Sequence, residues 1–99
     1  MLNNSQEIIL QKAKDLISTV QHLIDEENIT EATLNLVRLE QVINSIDLPK
    51  SARGGILHRV AILRAKANQW DDAWRIANSI DHYAFGPKTQ RKLREMQEN

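Results

Sequence analysis

Two short turns, 41 residues apart, constrain this chain more than any other feature: Glu27-Asn28-Ile29-Thr30-Glu31-Ala32 and Asn68-Gln69-Trp70-Asp71-Asp72-Ala73. Each holds a polar step, one apolar residue, a Thr or Asp suited to capping a helix, an acid and an alanine. A capping oxygen accepts from the free amides of a helix's first turn, and an acid there meets the positive end of the helix dipole. Joins this short make consecutive helices double back on each other. The expectation is an all-α chain of four to five antiparallel helices, arranged as two stacked helical hairpins plus a C-terminal capping helix.

Composition agrees with helices rather than strands. Only three glycines and two prolines occur in 99 residues, and Val and Ile fall at helical rather than alternating spacing. The length suits a single helical domain, with hairpin one at about 5–47, hairpin two at about 50–82 and a last helix at about 87–97. Cysteine is absent, so no thiolate is on offer as ligand or nucleophile. The first residues lack a basic segment followed by an apolar run, and no stretch approaches the roughly 20 apolar residues of a membrane span. A cytoplasmic protein is expected, of the kind found among small phage or plasmid accessory proteins.

The zero net charge conceals two opposed halves. Residues 1–49 carry three Lys/Arg against eight Asp/Glu, a net of −5, and residues 50–99 carry ten against five, a net of +5. Acidic and basic helices can neutralise each other within one chain or across a homodimer. The basic half can equally face an acidic partner, nucleic acid included.

The first helix is expected from Ser5 to Glu27, capped by Asn4 with Glu7 reaching back, and striped by Ile9, Ala13, Leu16, Ile17, Val20, Leu23 and Ile24. Thr30 is expected to cap a second helix striped by Leu36, Leu39, Val42, Ile43 and Ile46 and widened by Leu34 and Val37, ending before Pro49. A third helix opens near Pro49 or Ser51. Its run Ile56, Leu57, Val60, Ala61, Ile62, Leu63 and Ala65 makes it the most enclosed, while Gly54-Gly55 marks a loose start or a close helix approach. Asp71 should cap a fourth helix, to about Asp81, with Ala73, Ile76, Ala77 and Ile80 as its stripe. His82-Tyr83-Ala84-Phe85-Gly86 reads as a loop, and Pro87 opens a basic fifth helix that resembles a solvated lid.

No catalytic constellation, cofactor motif or metal-ligand spacing stands out, and the chain is expected not to be an enzyme. His22, His58 and His82 are far apart; His22 with Asp25 and Glu26 shares a helical face, which reads as a solvated face before it reads as a metal site. Lys50-Ser51-Ala52-Arg53-Gly54-Gly55 lacks the spacing of a phosphate-binding loop. Trp70 reads as a plug in its hairpin. Trp74 serves either as core or, with Arg75 beside it, as an anchor for a partner.

The segment from Leu57 to Phe85 resembles a tetratricopeptide repeat, a helix–turn–helix unit that stacks into a superhelix. Leu57, Val60 and Ala61 look like its first-helix packing positions, Ala73, Ala77 and Ile80 like those of the second, and Trp70-Asp71-Asp72-Ala73 like its turn; Arg64 stands where a tyrosine is usual. The rival architecture is an irregular helical bundle. The resemblance implies that His58, Ile62 and Lys66, flanked by Arg59, face a groove that docks a partner protein segment. The expected function is therefore a protein–protein interaction module, an adaptor, inhibitor or assembly factor, engaging its partner through His58, Arg59, Ile62, Lys66, Trp74 and Arg75. The alternative is a small regulator that grips nucleic acid through Lys88, Arg91, Lys92 and Arg94.

Overall fold

The structure, a computed structural model, describes residues 1–98, and within them the chain is all-α with no strand. Five helices follow in order: α1 (Asn4–Asp25), α2 (Ile29–Ile43), α3 (Lys50–Lys66), α4 (Trp70–Ser79) and α5 (Phe85–Glu98). They group into two compact units, Met1–Pro49 and the chain from Lys50 onward.

The first unit is the α1–α2 hairpin. Its capping box sits one residue earlier than Asn4 and Glu7: Asn3 Oδ1 accepts from Gln6 N–H at 2.9 Å, and Gln6 Oε1 accepts from Asn3 N–H at 2.9 Å. A tertiary contact accompanies this register, because Gln6 Nε2 also donates to the Asp47 carbonyl at 2.9 Å, tying the start of α1 to the segment after α2. Leu10, Ala13, Ile17 and Val20 are the buried residues of α1, while Ile9, Leu16, Leu23 and Ile24 flank them half-buried. From α2 come Ala32, Leu36, Leu39 and Ile43. Leu34 and Val37, expected to widen that stripe, lie on the outer face at 57% and 44% exposure. The cap of α2 is Asn28 rather than Thr30, since the chain already enters the helix at Ile29.

Both short turns have one geometry. Glu27 and Asn68 take left-handed φ values of 61° and 62°. In the first turn Glu27 N–H donates to Ile24 O at 2.9 Å and Asn28 N–H to Leu23 O at 2.8 Å; in the second Asn68 N–H donates to Ala65 O at 2.9 Å and Gln69 N–H to Arg64 O at 2.8 Å. This pair of bonds satisfies carbonyls that a helix end leaves open, and it requires a left-handed residue between them. The next helix starts two residues after that residue in both turns.

In the second unit α3 packs against both α4 and α5, and α4 also packs against α5. Ile56, Leu57, Val60, Ala61, Leu63 and Ala65 of α3 are buried, as are Ala73, Ile76 and Ala77 of α4. The α4 cap is Gln69 with no side-chain bond, not Asp71; Asp71 and Asp72 fall in the first turn, and the helix ends at Ser79. Arg64, 5% exposed, turns its guanidinium to this corner, with Nη1 2.6 Å from Gln69 Oε1 and 3.9 Å from Asp72 Oδ2.

The fifth helix is a core element, not a solvated lid. Thr89 and Leu93 are fully enclosed, and Leu93 joins Ala65, Ala73 and Ala77 in a cluster against which Trp70, Trp74 and Met96 pack. Alanines on α3 and α4 let the helices approach closely, so a single leucine fills the space between them. Gly54 and Gly55 lie inside α3, at a close approach between segments rather than at a loose helix start. A Cβ on Gly54 would stand 3.2 Å from both His82 Cβ and Phe85 Cδ2, so the missing side chain makes room for the start of α5. No helix of the described residues is long and apolar enough to cross a membrane.

Candidate functional site: a cationic cleft between α3 and α5

The start of α5 positions the site. His82 caps it with a ring nitrogen: Nδ1 accepts from Ala84 N–H at 3.3 Å and Phe85 N–H at 3.2 Å. Residues read from the sequence as a plain loop therefore start the helix at Phe85, two residues before Pro87. Pro87 stays within the first turn, where the absent N–H costs nothing because amides there have no intrahelical partner. The Phe85 ring then packs against His82, at 5.1 Å between centroids, and against His58 of α3, at 6.1 Å.

One turn further on, Thr89 links α5 to α3. Its hydroxyl donates to the Phe85 carbonyl at 2.6 Å and lies 2.7 Å from His58 Nδ1. A hydroxyl carries one proton, so with that proton on Phe85 O the histidine is the donor and Nδ1 bears its hydrogen. Neutral His58 then presents Nε2 as its remaining acceptor. The pair is not a nucleophile and base, because the hydroxyl is fully buried and its proton is committed to the backbone.

Beside this link opens a cleft of about 320 Å³ lined by His58, Ile62, Lys88, Arg91, Lys92 and Glu95. The four α5 residues recur at three- and four-residue steps and so share one helix face. Among the described residues, no carboxylate lies within ion-pair distance of Lys88, Arg91 or Lys92, although Lys88 Nζ stands 5.8 Å over the Phe85 ring. The three cations on this face repel each other and the single Glu95 offsets them only in part, leaving an excess of positive charge that a bound anion would relieve. Their effect already reaches His58: burial, then Lys88, then Lys92 hold its imidazole below the ordinary 6.5.

Two residue sets that the sequence kept apart thus meet. His58 and Ile62 come from the expected protein groove, and Lys88, Arg91 and Lys92 from the expected nucleic-acid set. The others lie outside the cleft lining. Arg59 and Lys66 are exposed on α3, and Arg94 is exposed on α5. Arg75 pairs with Asp72 at 3.2 Å. Trp74 packs against the Leu93 cluster and donates Nε1–H to Gln97 Oε1 at 3.3 Å. Thr89 and Phe85, which orient His58, were missed; the only sequence signal was the i, i+4 spacing of Phe85 and Thr89 after a histidine.

Lys50 pairs with Asp81 at 2.9 Å, and His22 with Glu26 at 3.0 Å. Among the described residues no three His, Asp or Glu side chains gather as a metal would need. Comparisons with protein-family models, curated proteins and solved structures find no match to this chain.

Proposed function

We propose that the protein is a non-enzymatic interaction module whose α3–α5 cleft docks an acidic segment of a partner protein. The observation that supports this most is the grouping of Lys88, Arg91 and Lys92, without carboxylate partners among the described residues, around the apolar Ile62. A concave site with one aliphatic contact and a cationic wall suits a peptide that alternates acidic and aliphatic side chains. A nucleic-acid backbone fits less well. Arg94 is not part of the lining, so the cations do not form one track for a phosphate backbone. The tetratricopeptide-like reading of the α3–α4 hairpin belongs to the same proposal, since His58 and Ile62 are two of the three positions it assigns to a groove, Lys66 being the third.

The test is fluorescence anisotropy with a labelled peptide of alternating Glu and Leu, a Lys–Leu control and labelled duplex and single-stranded DNA, from 50 to 300 mM salt. Saturable binding of the acidic peptide, lost in K88E/K92E, is the expected result. DNA bound more tightly than peptide, with affinity falling steeply as salt rises, would replace this reading by the nucleic-acid one. Sedimentation of the protein alone addresses a second copy as the acidic partner, since residues 1–49 carry a net of −5.

A further inference from the structure

We infer that an acidic segment enters the α3–α5 cleft together with a proton that settles on His58 Nε2. The inference rests on the docking proposal above and adds to it the chemistry of the site. His58 lines the same cleft as Lys88, Arg91, Lys92 and Glu95, and its Nδ1 is occupied by Thr89. Nε2 is therefore the nitrogen left to meet a ligand.

In the neutral ring Nε2 is a lone pair, which a carboxylate oxygen avoids. In the imidazolium it is a charged N–H donor, and such a bond to a carboxylate is roughly twice as strong as a neutral one. Without ligand the proton is disfavoured by burial and by Lys88 and Lys92. Arg91 and Glu95, the one carboxylate in the lining, are the other charged groups of the cleft. His82, which also packs against the Phe85 ring, holds Nδ1 as an acceptor for two backbone amides. Arg59 is the neighbouring cation on α3 itself. A carboxylate placed among the lysines screens their field at His58 and supplies the acceptor that the protonated ring needs. Binding and protonation then favour each other, as linkage requires.

The sign follows. Affinity for an anion should climb as pH falls from 8 toward 5.5, and level off once His58 is protonated in the free protein as well. Each unit by which the ligand raises the His58 pKa corresponds to about tenfold in affinity across that window. Peptide carboxylates, which titrate near 4, stay ionised throughout.

The experiment is isothermal titration of the full chain with the alternating Glu–Leu peptide at pH 8.0, 7.0, 6.0 and 5.5. It is repeated in buffers of different ionisation enthalpy, so that proton uptake is counted directly. The His58 Cε1–H resonance is followed by NMR with and without peptide. The expected result is net proton uptake near neutral pH, a His58 pKa that rises on binding, and an affinity gain of at least fivefold between pH 8.0 and 5.5 that H58Q abolishes. Binding of equal strength at every pH, or an unchanged pH response in H58Q, overturns the inference and leaves the docking proposal standing. No binding at any pH overturns both. H58Q keeps a polar group near Thr89, and its folding is checked by circular dichroism; if it unfolds, the NMR shift of His58 in the unaltered protein decides the matter.

Discussion

His58 and Thr89, 31 residues apart in sequence, meet through a 2.7 Å hydrogen bond that joins α3 to α5 beside the cationic cleft. Thr89 is fully buried, so its hydroxyl has no water to turn to. Replacing it by valine keeps the shape and leaves His58 Nδ1–H without that acceptor, which should cost about 1–3 kcal/mol of stability in urea unfolding. T89S keeps the oxygen, and its loss should stay near the ~0.8 kcal/mol of one buried methyl group.

The same imidazole makes stability depend on pH. Its folded pKa is held below the ordinary 6.5, so beneath that value the unfolded chain binds the proton that the folded chain resists. The contribution is fully present above pH 6.5 and is lost as pH falls toward the folded pKa. Melting temperature should thus drop on going from pH 7 to pH 5, and the drop should be smaller in H58Q.

Neighbouring glycines of α3 should respond to alanine with opposite signs. A Cβ at Gly55 would reach the Phe85 ring at 3.5 Å, an ordinary contact, so G55A should gain up to about 1 kcal/mol from helix propensity. At Gly54 the same atom meets His82 Cβ and Phe85 Cδ2 at 3.2 Å. His82 is held by its two amide bonds and cannot yield freely, so G54A should lose about 1 kcal/mol net by overpacking. Paired thermal melts check both.

Glu27 pays a conformational cost that Asn68 largely escapes. Both are left-handed, and asparagine tolerates that region better than glutamate. E27G or E27N should stabilise the first hairpin by about 0.5–1 kcal/mol, whereas N68G should change stability by only a few tenths.

Trp74 packs on the Leu93 cluster and stands outside the cleft lining. W74A should cost about 2–3 kcal/mol, less than a fully enclosed tryptophan because the ring is half-exposed. Affinity of the acidic peptide, measured below the melting temperature, should be unchanged. A matching loss of affinity would show Trp74 to be a contact residue.

Helix identity, the two tight corners and the stripe Ala73, Ile76 and Ala77 were readable in the sequence because each depends on neighbours within one or two turns. Apolar spacing of three and four is itself the geometry of a helix face, and polar residues at a corner act on amides a few atoms away. Cap positions were less legible. Asn3 and Asn4 are both competent, and the observed register comes with the bond from Gln6 to the Asp47 carbonyl, 41 residues off. Leu34 and Val37 continue the apolar pattern of α2, yet the neighbouring helix has only a finite width to cover them.

Composition and local order told this chain to form helices, where to reverse, and that its second half would be basic. They could not say that a helix with few apolar residues would be a core helix, because that depends on the small side chains opposite Leu93. Nor could they bring His58 and Ile62 to Lys88, Arg91 and Lys92. That cleft exists because α5 folds back across the glycines of α3, and such an approach between distant segments is set by packing in three dimensions.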